Sequence, residues 1–157
     1  MIDGEAAAEE ARRGLLRTQL TDDPAMASAL DEGQPGPPLL VTRLDIAGRD
    51  YYLVPWLDSR GVVAVAQIDA QSGVLASAAA FSTPLTRLVM TANDARRAVS
   101  DRLGQAVFGE PELVWRPCRE AASPLQPLYR VSTASGDAFV GVDGSVHLRL
   151  TTFGKGG

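Results

Sequence analysis

The sequence predicts an α+β fold of two tandem units, each a helix followed by a four-stranded antiparallel meander, with the helices packed on one sheet face. Three observations predict it. Apolar residues recur at helical spacing and then switch to strict alternation, and this switch occurs twice along the chain. Turns rich in Gly, Asp and Ser punctuate the alternating stretches at short intervals. The two halves also share residues in the same order.

Residues 3–20 read as a helix: Asp3 caps it, and Ala7, Ala8, Ala11, Leu15 and Leu16 recur at helical spacing. Glu9 and Arg13 stand four apart in the favourable order. Thr21-Asp22-Asp23-Pro24 opens a short second helix over Ala25–Leu30, stopped by Gly33. Gly33–Pro38 is too rich in Pro and Gly for either regular element and reads as a linker. Residues 1–38 are thus a helical segment with a linker, and the helix belongs to the first unit. Residues 39–82 form the first sheet, with strands at Leu39–Ile46, Tyr51–Trp56, Val62–Asp69 and Val74–Phe81. Residues 83–157 form the second unit. Its helix spans 91–104: Thr91 supplies a capping-box start, Ala95, Ala98, Val99 and Leu103 share one face, and Gly104 ends it. Its sheet spans 112–151, with strands at Glu112–Arg116, Leu128–Thr133, Ala138–Val142 and Ser145–Thr151.

The internal repeat is the strongest signal. Glu10-Ala11-Arg12-Arg13-Gly14-Leu15 matches Asp94-Ala95-Arg96-Arg97-Ala98-Val99, 84 positions later. Leu40-Val41-x-Arg43 matches Leu113-Val114-x-Arg116, Tyr52-x-Val54 matches Tyr129-x-Val131, and Gly61 matches Gly136. Ile68-Asp69 with Ser72-Gly73-Val74 matches Val142-Asp143 with Gly144-Ser145-Val146, and Phe81 matches Phe153. The offset drifts only across turns and linkers, where insertions are tolerated. The order of the matches points to duplication.

The signature Tyr-x-Val, glycine turn, apolar-Asp, short Ser/Gly turn, Val resembles the PepSY type of domain, a cystatin-like α+β shape. It stands as Tyr52-Leu53-Val54, Gly61 and Ile68–Val74, and again as Tyr129-Arg130-Val131, Gly136 and Val142–Val146. The resemblance implies small modules that bind or restrain peptidases and other partners without catalysis. The chain departs from that pattern in its long helical N-terminal stretch.

Composition narrows the function classes. In 157 residues there are one Cys and one His, so an intramolecular disulfide framework, a cysteine-cluster metal site and a multi-histidine site are excluded. No cofactor is expected. The net charge of −4 argues against nucleic acid as a partner. Most of the acid lies in residues 1–35, where eight carboxylates face three arginines; it reads as a solvated helical face, or as a docking surface for a basic partner. The opening residues show neither a basic nor an apolar leader pattern, and no stretch is apolar enough to span a bilayer. The expectation is therefore a cytoplasmic protein with no membrane partner.

Sites for chemistry are few. Cys118 and His147 are the only thiol–imidazole pair available, and Arg116 and Arg119 would lower the thiol pKa. Asp69 and Asp143 read as turn residues rather than paired acids. The aromatic residues Tyr51, Tyr52, Trp56, Trp115 and Tyr129 are the candidate binding residues, with core packing the alternative for Tyr52 and Trp56. The terminal Gly156-Gly157 reads as a frayed end rather than a conjugation tail. The resulting expectation is a non-enzymatic module binding a protein or peptide, possessing sheet edges suited also to a homodimer. Its alternatives are a secretion-chaperone or toxin-immunity-like protein, or a small-ligand-binding protein or enzyme with a pocket between the halves.

Overall fold

The computed structural model describes residues 1–18 and 22–153; residues 19–21 and 154–157 lie outside the described residues. The described part contains three helices, α1 (Gly4–Arg17), α2 (Pro24–Glu32) and α3 (Ala92–Leu103). It contains nine strands: β1 (Gln34–Pro35), β2 (Leu39–Arg43), β3 (Tyr51–Asp58), β4 (Gly61–Asp69), β5 (Leu75–Leu85), β6 (Val107–Trp115), β7 (Leu128–Thr133), β8 (Gly136–Val140) and β9 (Val146–His147). The class is α+β. The chain divides into two units, Met1–Leu40 with Ala47–Leu88, and Val41–Ile46 with Val89–Gly157.

In the first unit, α1 starts where Asp3 Oδ1 accepts the Ala6 N–H at 2.8 Å. Ala7, Ala11 and Leu15, one per turn, are fully buried against Tyr52, Val54 and Trp56 of β3 and Ala66 and Ile68 of β4. Leu16 is 64% exposed, because it stands about 100° around the helix from Leu15 and falls off the buried stripe. Gly14 sits over β5 so closely that a Cβ there would meet Leu75 Cβ at 2.8 Å. The second helix, α2, is capped by Asp23 with Pro24 in its first turn, and it adds Met26 and Ala29 to the same core. The short helix expected over Ala25–Leu30 therefore shares the covering of this sheet with α1, where the unit plan has a single helix.

The sheet of this unit runs β5–β4–β3–β1, antiparallel throughout. The expected linker Gly33–Pro38 contains β1, with Gln34 opposite Leu57 and Pro35 opposite Trp56. Proline is tolerated there because the neighbouring Gly36 N–H supplies the bond to Pro55 O, at 2.7 Å. The strand that begins at Leu75 continues four residues past the expected end at Phe81.

In the second unit, Thr91 Oγ1 accepts the Asp94 N–H and Gly104, at φ +62, closes α3 as expected. Ala95 and Val99 pack on Val131, Ala138 and Val140, with Tyr129 and Val146 beside them. The run β6–β7–β8–β9 is an antiparallel meander. Two expectations fail here. The strand at 39–46 is not simply part of an antiparallel meander: Thr42 and Arg43 pair in parallel with Val114 and Trp115. A parallel pair needs a long crossover, and everything between β2 and β6 supplies it. That strand also stops at Arg43, whose guanidinium turns onto Asp45 at 2.6–2.7 Å. The last strand is two residues long rather than the expected 145–151. A turn closes at Gly141 N–Ser145 O, 2.9 Å, and Val146 and His147 pair with Val140 and Phe139. The chain then bends at Leu148–Arg149 and leaves β8, with Thr151 O accepting the Arg119 N–H at 3.0 Å.

Candidate functional site

The five aromatic residues singled out by sequence are placed inward. Tyr51, Tyr52, Trp56 and Trp115 are each 8% exposed or less, and Tyr129 is half-buried. Alternation puts Tyr52 and Trp56 beneath α1 and α2, where they are core. Trp56 Nε1 is buried without a hydrogen-bond partner among the described residues. Trp115 donates its indole N–H to Ala121 O at 3.1 Å and carries the Arg43 guanidinium 4.9 Å above its ring. The set therefore forms no exposed aromatic patch; Tyr52, Trp56 and Tyr129 lie on helix-covered sheet faces, where a bulky ring completes the core.

Two of these residues have a matching task. The Tyr52 hydroxyl donates to Ile2 O at 3.1 Å, just before α1. The Tyr129 hydroxyl donates to Met90 O at 3.0 Å, just before the cap of α3. In each unit a strand tyrosine pins the chain leading into the helix that covers it. Burial pushes the Tyr129 phenol above its ordinary pKa.

The thiol–imidazole pair is not assembled. Cys118 is buried with its Sγ on Ala121 O at 3.9 Å, and burial raises its pKa where the flanking arginines are expected to lower it. His147 Nε2 lies 3.0 Å from Ser145 Oγ instead. That hydroxyl donates to Asp143 Oδ1, so it accepts from the imidazole N–H. Asp69 and Asp143 are the turn residues expected. Asp69 Oδ1 accepts the Gln71 and Ser72 amides, and Asp143 Oδ1 accepts the Ser145 amide. The Ser72 backbone bond chiefly lowers the Asp69 pKa, and the Ser145 hydroxyl chiefly lowers that of Asp143. Among the described residues, no group of three or more His, Cys, Asp or Glu is placed to hold a metal ion. No helix among them is long and apolar enough to cross a membrane. Gly156-Gly157 lies outside the described residues.

The acidic N-terminal helix faces solvent, and Arg13 sits between Glu9 at 3.3 Å and Glu10 at 3.0 Å. On the second sheet the charge is paired across strands. Burial alone would raise the Glu112 pKa, but Arg130 at 2.6 Å and the Thr42 hydroxyl lower it on balance.

The feature that sequence reasoning missed is the outer edge of β5. This strand ends the strand order, and no strand pairs with its far side among the described residues. Its eleven residues, Leu-Ala-Ser-Ala-Ala-Ala-Phe-Ser-Thr-Pro-Leu, include no charge. Ser77–Ala80 pair without interruption with Ala64–Gln67, while irregularities and Pro84 fall outside that run. Natural edges are normally blunted by charge, proline or bulges. The middle of this one is not. Its uncharged composition was readable in the sequence; its edge position was not.

No family model matches the chain, and no curated protein matches it. Among solved structures it is similar to the crystal structure of a "putative lipoprotein" from Clostridium difficile 630, with 14% identity and a TM-score of 0.30, covering 78% of this chain and 84% of that one.

Proposed function

We propose that the chain is a non-catalytic, duplicated PepSY-like protein that binds a protein partner by accepting an extended segment along β5. The uncharged, eleven-residue edge carries the reading. Its free backbone groups supply the affinity of strand addition, and its small side chains let a second backbone approach. Duplication is supported by the paired tyrosine anchors, by Ala11 and Leu15 recurring as buried Ala95 and Val99, and by the two Asp-capped turns.

The test uses Ala76 and Ser82, both exposed and flanking the uninterrupted run. Wild type and an A76K/S82K variant are used to capture partners from the source cell extract, followed by amide hydrogen exchange on the recovered complex. A stoichiometric partner held by wild type, lost by the variant and protecting 75–85 supports the reading. A partner retained by both proteins, or protection elsewhere, overturns it. Self-association alone, abolished by the variant, would replace the foreign partner with a second copy of this chain.

A further inference from the structure

A second surface, in the other unit and independent of β5, is an open groove of about 390 Å³. Its apolar lining is Leu44, Phe139, Leu148 and Leu150, and its cations are Arg116 and Arg149. Phe139 reaches this face because its neighbours Ala138 and Val140 turn the other way onto α3. Arg116 builds the wall: its Nη2 donates to Leu150 O at 2.5 Å and holds the segment after β9 in place. Arg149 is exposed and has no acidic partner among the described residues. The groove also contains one acid, Asp137, which accepts a hydrogen bond from Ser132 across the β7–β8 ladder. Two guanidinium groups against one carboxylate leave the groove cationic in a chain of net charge −4.

We infer that this groove takes the free C-terminal carboxylate of a peptide ending in a large apolar residue. The carboxylate matches the unneutralised guanidinium, and the last side chain matches the Phe139–Leu148–Leu150 surface. The volume sits at the lower end of ligand sites, roughly 300–1,000 Å³. A peptide is favoured over a free acyl chain by the backbone alongside. Leu148 and Arg149 lie beyond the end of β9 and make no backbone–backbone hydrogen bond among the described residues. A peptide can use those donors and acceptors, and an acyl chain cannot.

The experiment is fluorescence anisotropy of the full chain with a labelled decapeptide ending in Val-Leu, as the free acid and as the C-terminal amide. The acid binds saturably and about tenfold more tightly than the amide. R149Q, at an exposed position that leaves the fold intact by circular dichroism, weakens the acid by about tenfold and barely changes the amide. F139S weakens both. Equal binding of acid and amide, an R149Q variant that binds the acid like wild type, or no saturation at millimolar protein overturns the inference. Displacement of the labelled peptide by laurate at lower concentration than by unlabelled peptide overturns the peptide assignment.

Discussion

The two units use the same parts under different coverage. In the first, six consecutive residues of β3, Tyr51–Trp56, are buried, as are five of β4, Val62–Ala66. In the second, β7 buries Leu128, Val131 and Thr133 and leaves Tyr129, Arg130 and Ser132 accessible, with Arg130 reaching Glu112 across the ladder. A strand buried on both faces has to be apolar throughout, whereas one with a wetted face accommodates polar and charged side chains there. Helix-covered antiparallel sheets in one chain therefore tolerate two different strand compositions. It also places the two candidate surfaces differently: an uncharged edge in the first unit and a cationic groove in the second.

The largest expected contrast lies in the helix cores. Leu15→Ala removes a fully buried side chain from a core covered by two helices and should cost about 2–5 kcal/mol. Val99→Ala, on the buried face of the single helix of the second unit, removes fewer carbons and should cost about 1–3 kcal/mol. Urea unfolding of both variants checks the order, and a larger loss for Val99→Ala would break the comparison. A smaller effect sharpens it. Tyr52→Phe and Tyr129→Phe each delete one hydroxyl bond to the backbone before a helix, and each should cost about 1 kcal/mol. If one variant is neutral and the other severely destabilised, the two anchors are not equivalent.

The smallest effect depends on pH and belongs to the second unit. The Thr151 amide, at 2.9 Å, is the main cause that lowers the Glu120 pKa from 4.5 to about 2. A carboxylate depressed in the folded state stabilises above its unfolded pKa, and that contribution is lost as pH falls toward the folded value. The stability difference between wild type and Glu120→Gln should therefore be full at pH 7 and shrink between about pH 4.5 and 2. A difference that is constant over that window would show that the carboxylate charge does not hold the segment. Because Glu120 stands near the surface, the difference is small.

Local features of this fold were legible in the sequence and non-local ones were not. The third helix was readable from end to end, since Thr91, Asp94 and Gly104 act within their own turn. So were the Asp69 and Asp143 turns. The brevity of β9 was hidden, because Ser145–Thr151 alternates like a strand while the groups that hold its continuation off β8, Arg116, Arg119 and Glu120, lie about thirty positions upstream. The parallel partner of β2 was hidden for a similar reason, since nothing near Thr42 specifies Val114. At the candidate site, alternation separated Tyr51 from Tyr52 and Trp56. It could not tell whether the second face was also covered, and so whether those rings were available to a partner.

The chain leaves the first unit after Leu40 and returns at Ala47, lending Val41–Ile46 to the second. Thr42 then waits for a partner about seventy residues downstream. As the protein emerges from the ribosome, the parallel pairing of this strand forms only once β6 has been made, a separation that slows folding because loop closure precedes the contact. Division of the gene between residues 88 and 89 would not yield two complete proteins. The downstream product would lack the strand that lies beside β6, with Val114 and Trp115 on an uncovered border.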